Sequence, residues 1–306
     1  MANYLAVDVG GTNVKYSLMT DNAEILEKGE FPTPYEEGLD GLVEGLKKVY
    51  EKYAGKVEAM VMSAPGKIDS STGYFYTSGA LHYIDNINLK DRLKDVIPVP
   101  FAVENDAKAA ALAEVWKGSL KGIDNAYVLV LGTGIGGAIV IDGKLYRGHT
   151  FAAGELSCVQ TDWHAFPLEY NNSWATINGV GSLVKLYADR IGKDAKDLNG
   201  RILFDAANNG DEDALAAIDE YTRTLASGII SLQFVLDVER VAVGGGISKQ
   251  PLLLKYLNEN IDKYYGKFYG VLPATAPEVV QCTFGNDANM IGALYHYLYE
   301  LNGKNA

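Results

Sequence analysis

The sequence predicts an α/β protein of two domains. Three observations carry that prediction. Apolar strands alternate with amphipathic helices along all 306 residues. Two strand–glycine turn–strand units occur about 120 residues apart. Three glycine clusters, Gly10-Gly11, Gly132 to Gly137 and Gly244-Gly245-Gly246, each directly follow an apolar run. A length of 306 residues also fits two domains at roughly 100–200 residues each.

Taken in order, Leu5-Ala6-Val7-Asp8-Val9 reads as a buried strand. Gly10-Gly11 turns the chain, and Val14, Tyr16 and Leu18 alternate along the return strand. A third strand is expected over 23–31. Residues 36–53 predict a helix, because Leu39, Leu42, Val43, Leu46, Val49, Tyr50 and Tyr53 recur at helical spacing. Residues 57–62 form a strand ending at Ser63-Ala64-Pro65-Gly66, and 98–103 another running into Glu104-Asn105-Asp106. An alanine-rich helix follows to about Trp116. The pattern then restarts, with a strand over 126–131, the turn Gly132-Thr133-Gly134-Ile135-Gly136-Gly137 and a return strand over 138–141. Residues 158–175 read as irregular. Helices are expected near 180–191, 211–236 and 250–265. A strand over 240–243 ends at the triple glycine. A last strand spans 279–283 and a last helix 287–301. The domain boundary is placed after Lys117: a smaller domain over 1–117, onto which the C-terminal helix 287–306 packs back, and a larger one over 118–286.

Composition narrows the function classes. Lys and Arg number 27 against 39 Asp and Glu, a net charge of −12, which is a poor footprint for nucleic acid. No apolar run reaches 18 residues, and Asp8 interrupts the N-terminal one, so neither a membrane span nor a secretory signal is expected. Cys158 and Cys282 lie 124 positions apart without any CxxC, which excludes a disulfide framework and a four-thiolate zinc site. Free thiols fit a cytoplasmic location.

The glycine turns carry the chemistry. Gly132, Gly134 and Gly137 match GxGxxG, yet a strand rather than a helix follows, so a dinucleotide fold is not expected. No Walker A loop, HRD or DFG occurs. What remains is two glycine hairpins bearing Thr12 and Thr133. Backbone N–H groups freed of side chains approach phosphate oxygens, and each hydroxyl adds a donor. Lys15 lies near the first turn on the return strand. Asp8, just before that turn, is placed to orient the water shell of a magnesium ion. Either hairpin alone is as readily a plain tight turn. Glu104-Asn105-Asp106 caps a helix, but one capping residue suffices, and three polar groups at a strand's C-terminal end face the expected ligand crevice. A carboxylate there is placed to accept a hydroxyl proton during phosphoryl transfer.

Together, Asp8-x-Gly10-Gly11-Thr12-x-x-Lys15, Glu104-Asn105-Asp106-Ala107, Leu131 to Gly137, Gly154-Glu155 and Gly244-Gly245-Gly246-Ile247 resemble, in order, the ROK family of bacterial sugar kinases and repressors. The resemblance covers the whole chain. It implies an actin-like, hexokinase-type ATPase fold with a cleft between two domains, with ATP and Mg2+ as cofactors. It also implies Asp106 as catalytic base, Asn105 and Glu155 as sugar contacts, and a homodimer. The phosphates would lie at Gly10, Gly11, Thr12, Lys15, Gly132, Thr133 and Gly134, and the adenosine beside Gly244, Gly245 and Gly246.

The chain departs from the family's glucokinases. Glu155-Leu156-Ser157-Cys158 replaces Glu-x-Gly-His, the CxCGxxGCxE zinc motif is missing, and Ala80 and Trp174 stand where enclosing polar groups are usual. Ser63-Ala64-Pro65-Gly66, Gly79-Ala80 through Asp85-Asn86, and Phe151-x-Ala153-Gly154-Glu155 with Thr161-Asp162 are similar instead to bacterial β-glucoside kinases. That resemblance adds Gly66 and Gly79 as substrate contacts and phosphorylation at the 6-hydroxyl of a β-glucoside such as cellobiose. The spacing of His149, Cys158 and His164 matches no common zinc pattern, so no structural zinc is expected. Trp163, Tyr170 and Trp174 either stack on a sugar or pack a loop onto the core. Glucokinase or N-acylmannosamine kinase activity, a sugar-responsive repressor and a non-catalytic sugar-binding protein are the alternatives. A repressor of this family would carry a helix-turn-helix before the first hairpin, which starts here at residue 8.

Overall fold

The computed structural model describes residues 2–164, 170–268 and 270–304, with the side chain of Tyr170 outside that description. The chain forms two compact units, one of Met1–Lys121, Arg147–Ala153 and Asn286–Ala306, the other of Gly122–Tyr146 and Gly154–Gly285.

In the first unit, β1 (Asn3–Val9), β2 (Asn13–Thr20) and β3 (Ile25–Pro32) form an antiparallel meander. Helix α1 (Gly38–Lys52) follows, burying Leu42, Leu46, Val49 and Tyr50, the face its spacing dictates. Strand β4 (Ala59–Ala64) then pairs parallel to β1. Three two-residue strands, β5 (Ile68–Asp69), β6 (Tyr74–Phe75) and β7 (Ile87–Asn88), make a small separate sheet. Helix α2 (Leu89–Leu93) leads to β8 (Phe101–Asn105), which pairs parallel to β4. The resulting sheet has the order β3-β2-β1-β4-β8. β4 is buried along its whole length, as its unbroken apolar run demands of a strand covered on both faces. Helix α3 (Asp106–Lys117) packs on the C-terminal helix Ala288–Tyr295, whose chain continues as a π-helix over His296–Leu301.

The second unit repeats the plan. Strands β9 (Ala126–Leu131), β10 (Ile135–Ile141), β11 (Lys144–Tyr146), β12 (Arg240–Gly245) and β13 (Glu278–Gln281) form a sheet of order β11-β10-β9-β12-β13. β9 and β12 are parallel, as are β12 and β13. Its core joins the sheet to α4 (Trp174–Asn178), α5 (Val180–Ile191), α6 (Gly200–Asn208), α7 (Glu212–Leu236) and α8 (Pro251–Lys267). Helix α7 starts where the Asp211 carboxylate accepts the Ala214 N–H at 2.8 Å, a side-chain cap on its first turn.

Several elements differ from the sequence expectation. The sequence pattern does not predict helix α6, nor α2, β11 and the β5–β7 sheet. The expected last helix is α-helical only to Tyr295 before it widens into the π-helix. The expected irregular stretch opens on the end of a short 3-10 turn over 156–158, holds another over 170–172 and runs into α4 from Trp174, while 165–169 lie outside the described residues.

Candidate active site

In the first unit, three neighbouring parallel strands end side by side. Their register aligns Asp8 with Ser63, Ser63 with Glu104, and Ala64 with Asn105. Asp8, Asn105 and Asp106 therefore gather at one edge of the sheet, the carboxyl ends of its strands, where ligands bind in open α/β sheets.

The first glycine turn closes with the Gly10 N–H donating to Asn13 O at 3.1 Å. Thr33 braces it from the end of β3: its hydroxyl donates to Gly10 O at 2.6 Å and its N–H to Thr12 O at 2.9 Å. Gly11 and Thr12 are exposed at the tip. Lys15 sits directly across from Asp8 on β2, on the same face of the sheet. The Asp8 carboxylate is itself held. Ser63 Oγ donates to Oδ1 at 2.5 Å, and Asn289 Nδ2, from the C-terminal helix, donates to the same oxygen at 3.0 Å. A short acidic side chain fixed through one oxygen and half-exposed near an exposed glycine turn suits a hydrated magnesium ion, which takes few protein ligands.

Asn105 is the N-cap of α3. Its Oδ1 accepts the Lys108 N–H at 3.1 Å, and its Nδ2 donates to Gly66 O at 3.0 Å. Asp106 is the first helical residue, with Oδ1 accepting the Ala107 N–H at 2.8 Å. Gly66 has φ +107° and lies hard against the backbone of Thr77 and Ser78, so a side chain there would drive those segments apart. Ser78 Oγ donates to Asp85 Oδ1 at 2.5 Å and to Leu81 O at 2.6 Å, fixing the turn that carries Gly79 and Ala80. Gly66, Gly79 and Asn105 thus form one assembly around the end of β8.

Behind Asn105 lies a charge cluster built on a buried glutamate. Glu104 is 1% exposed. Its Oε2 accepts from Arg147 Nε at 2.9 Å and Nη2 at 2.7 Å, and its Oε1 from the Asn105 N–H at 2.8 Å. Arg147 Nη2 also donates to Glu300 Oε2 at 2.5 Å, and His296 Nδ1 pairs with that oxygen at 2.6 Å. Burial opposes the charge on Arg147, but Glu104 and Glu300 outweigh it and raise its pKa. Burial likewise opposes the Glu300 carboxylate, while bonds from His296 and Arg147 hold its pKa below the ordinary value.

In the second unit, the turn between β9 and β10 closes with the Gly132 N–H donating to Gly134 O at 3.0 Å. Gly132 O accepts the Val180 N–H at 2.9 Å, which seats the turn on the start of α5. Thr133 is exposed. β12 brings the triple glycine alongside, with Gly244 opposite Val130 and Gly245 opposite Leu131. Gly245 has φ +93° and a backbone so close to Leu131 that no side chain fits. Ser248 Oγ braces Gly245 O at 2.9 Å. Gly154 packs on Ala138 of β10, leaving Glu155 exposed at the start of a short 3-10 turn.

The aromatic candidates divide. Trp174 is a core residue, 1% exposed, with Nε1 donating to the buried Asn178 Oδ1 at 3.0 Å, so it packs and does not stack on a sugar. Trp163 is 90% exposed, and the Tyr170 side chain lies outside the described residues. Cys158, His149 and His164 are exposed. Among the described residues, one trio has metal-ligand composition, Glu104, His296 and Glu300; the Arg147 guanidinium donates to both carboxylates, and His296 Nδ1 donates to Glu300. Sequence reasoning missed Thr33, Ser63, Asn289, Arg147 and Ser248. Only Ser63 carried a signal, as the polar end of an apolar strand.

Comparison with known proteins agrees with the topology. The ROK family description matches residues 4–299. A β-glucoside kinase of Listeria monocytogenes is 31% identical over 302 residues, covering 97% of this chain and 98% of the relative. A glucokinase of Halalkalibacterium halodurans is 31% identical over 317 residues, covering 94% and 93%. Among solved structures, a ROK family protein from Streptococcus pneumoniae TIGR4 in complex with sucrose superposes with TM-score 0.87 at 29% identity, over 99% of this chain and all of the other. The paired five-stranded sheets are those of the actin-like, hexokinase-type ATPase fold. By a match that runs almost from end to end, the chain belongs to the ROK family.

Proposed function

We propose that this ROK-family sugar kinase transfers the γ-phosphate of ATP to the 6-hydroxyl of a β-glucoside such as cellobiose. The observation that carries the reading is the alignment of Asp8, Asn105 and Asp106 at the carboxyl ends of three adjacent parallel strands, beside an exposed glycine turn.

In this reading the Asp106 carboxylate accepts the hydroxyl proton as the sugar oxygen bonds to the γ-phosphorus and the bond to the β,γ-bridging oxygen breaks. The products are the sugar 6-phosphate and ADP. Asn105, Gly66, Gly79 and Glu155 are assigned to the sugar. The turns at Gly10-Gly11-Thr12 and Gly132-Thr133-Gly134 present N–H and hydroxyl donors to phosphate, with Lys15 near the first. Gly244, Gly245 and Gly246 border the nucleoside. A magnesium ion, oriented through water by Asp8, would supply neutralisation of phosphate charge.

The β-glucoside preference is supported by the relatives of that name and by Ala80, which stands where the family's glucokinases carry a polar group. A site lacking groups that hydrogen-bond a free anomeric hydroxyl no longer rejects a substituted one. The 31% identical glucokinase favours a second reading, in which free glucose is the substrate. ADP release measured over cellobiose, salicin, arbutin, glucose and N-acetylmannosamine separates them. A higher kcat/KM for cellobiose or an aryl β-glucoside than for N-acetylmannosamine is expected, with phosphate on the 6-hydroxyl of the non-reducing glucose. Good turnover of glucose or N-acetylmannosamine with every β-glucoside refused would leave only the kinase assignment. We further propose a cytoplasmic homodimer, which equilibrium sedimentation tests.

The metal makes its own prediction. EDTA should stop turnover and excess Mg2+ restore it. Asn289→Ala removes one of the two bonds that orient Asp8, an interaction worth about 0.5–1.5 kcal/mol. The Mg2+ concentration for half-maximal rate should rise by roughly 2- to 10-fold. An unchanged magnesium titration would detach Asn289 from the site.

A further inference from the structure

We propose that Arg147 is a positioning residue for phosphoryl transfer, holding the buried Glu104 carboxylate so that its other oxygen fixes the Asn105-Asp106 backbone. The proposal rests on the reading above, in which Asp106 is the base.

The geometry runs in one unbroken line. Both guanidinium contacts fall on Glu104 Oε2, which leaves Oε1 turned to the Asn105 N–H. Asn105 then caps α3 with one side-chain atom and binds Gly66 with the other. Asp106 is the next residue. A rotation of the Glu104 carboxylate would therefore be felt at the helix start that carries the base. In this site a displacement of about 1 Å can cost on the order of 10²-fold in rate.

The far side of the cluster is built to hold Arg147 still. A π-helix is uncommon, and such segments concentrate at functional sites. Here it spans His296–Leu301 and turns both His296 and Glu300 toward Arg147. His296 is itself fixed by Ser70 O at 3.4 Å from Nε2. The loop that bears Arg147 closes on itself, the Ala153 N–H donating to Arg147 O at 3.2 Å. Glu104, His296 and Glu300 together have the composition of a cation site, and the guanidinium supplies the cation. Its Nε–H and Nη2–H, fixed in one plane, converge on the single oxygen Glu104 Oε2 and pin it, which a point charge does not.

A plain charge-balancing role and a positioning role give different results. Arg147→Met alone leaves the buried Glu104 carboxylate without its cation and Glu300 with His296 alone, and is expected to destabilise the fold. The pair Glu104→Gln with Arg147→Met removes one of those charges, and the substituted amide keeps an oxygen for the Asn105 N–H without a fork to aim it. The double variant should regain much of the melting temperature lost by Arg147→Met. Its kcat should stay about 10²-fold low, with KM for ATP near that of the wild type. Arg147→Lys should behave alike, folded but slow. Wild-type kcat in both the double variant and Arg147→Lys would overturn the proposal while leaving the kinase reading intact. Absence of sugar-dependent ADP release in the wild-type enzyme would overturn both.

Discussion

Asp106→Asn is expected to lower kcat by about 10²–10⁴-fold, the scale of general-base removal. The two side chains are nearly isosteric. The amide that replaces the carboxylate would retain an oxygen for the Ala107 N–H that Asp106 Oδ1 now accepts at 2.8 Å, so the first turn of α3 has no reason to fray. Asn105, which does the capping, is untouched. What disappears is the capacity to take a proton from a sugar hydroxyl. ATP affinity should survive, because the turns assigned to phosphate belong to other segments. The measurement is steady-state ADP release beside calorimetric titration with a non-hydrolysable ATP analogue. Turnover within a few-fold of the wild type would remove Asp106 from the mechanism.

The ends of the strands were legible in the sequence because glycine and polar clusters interrupt apolar runs there. Asp8 before Gly10-Gly11, and Glu104-Asn105-Asp106 at the end of β8, stand out without any knowledge of their neighbours. The groups that hold them do not stand out. Asn289 reaches Asp8 across 281 positions of chain, and Glu300 reaches Arg147 across 153. Neither pair leaves a periodic trace. The β5–β7 strands span two residues each, too short for alternation to register. Helix α6 was missed because its nine residues bury only Leu203, Phe204 and Ala207, a face too brief to outweigh the surrounding polar residues. The π-helix follows an ordinary helical pattern in sequence, since His296 and Glu300 at i and i+4 share a face in either geometry.

Trp174→Ala is expected to destabilise the protein by about 3–5 kcal/mol, with little change in KM for any sugar. Sequence alone leaves two roles open for this residue, sugar stacking or packing, and they predict opposite outcomes. In the structure the indole is enclosed in the second unit, against Gly228 of α7. Its N–H meets Asn178 Oδ1, while Asn178 Nδ2 donates to Tyr221 O at 3.1 Å and to Thr224 Oγ1 at 2.9 Å. The Tyr221 hydroxyl closes the circuit on Asn178 O at 2.6 Å. Alanine would open a cavity and also strand a buried amide oxygen, so the loss of packing and the loss of a hydrogen bond act together. Trp174→Phe should cost less, since it keeps much of the volume and forfeits chiefly the N–H. A melting temperature lowered in the order Ala, then Phe, then wild type, with sugar KM values held within about 2-fold, is the expected pattern. A stable Ala variant whose KM for cellobiose rises steeply would return Trp174 to the sugar site and displace the packing assignment.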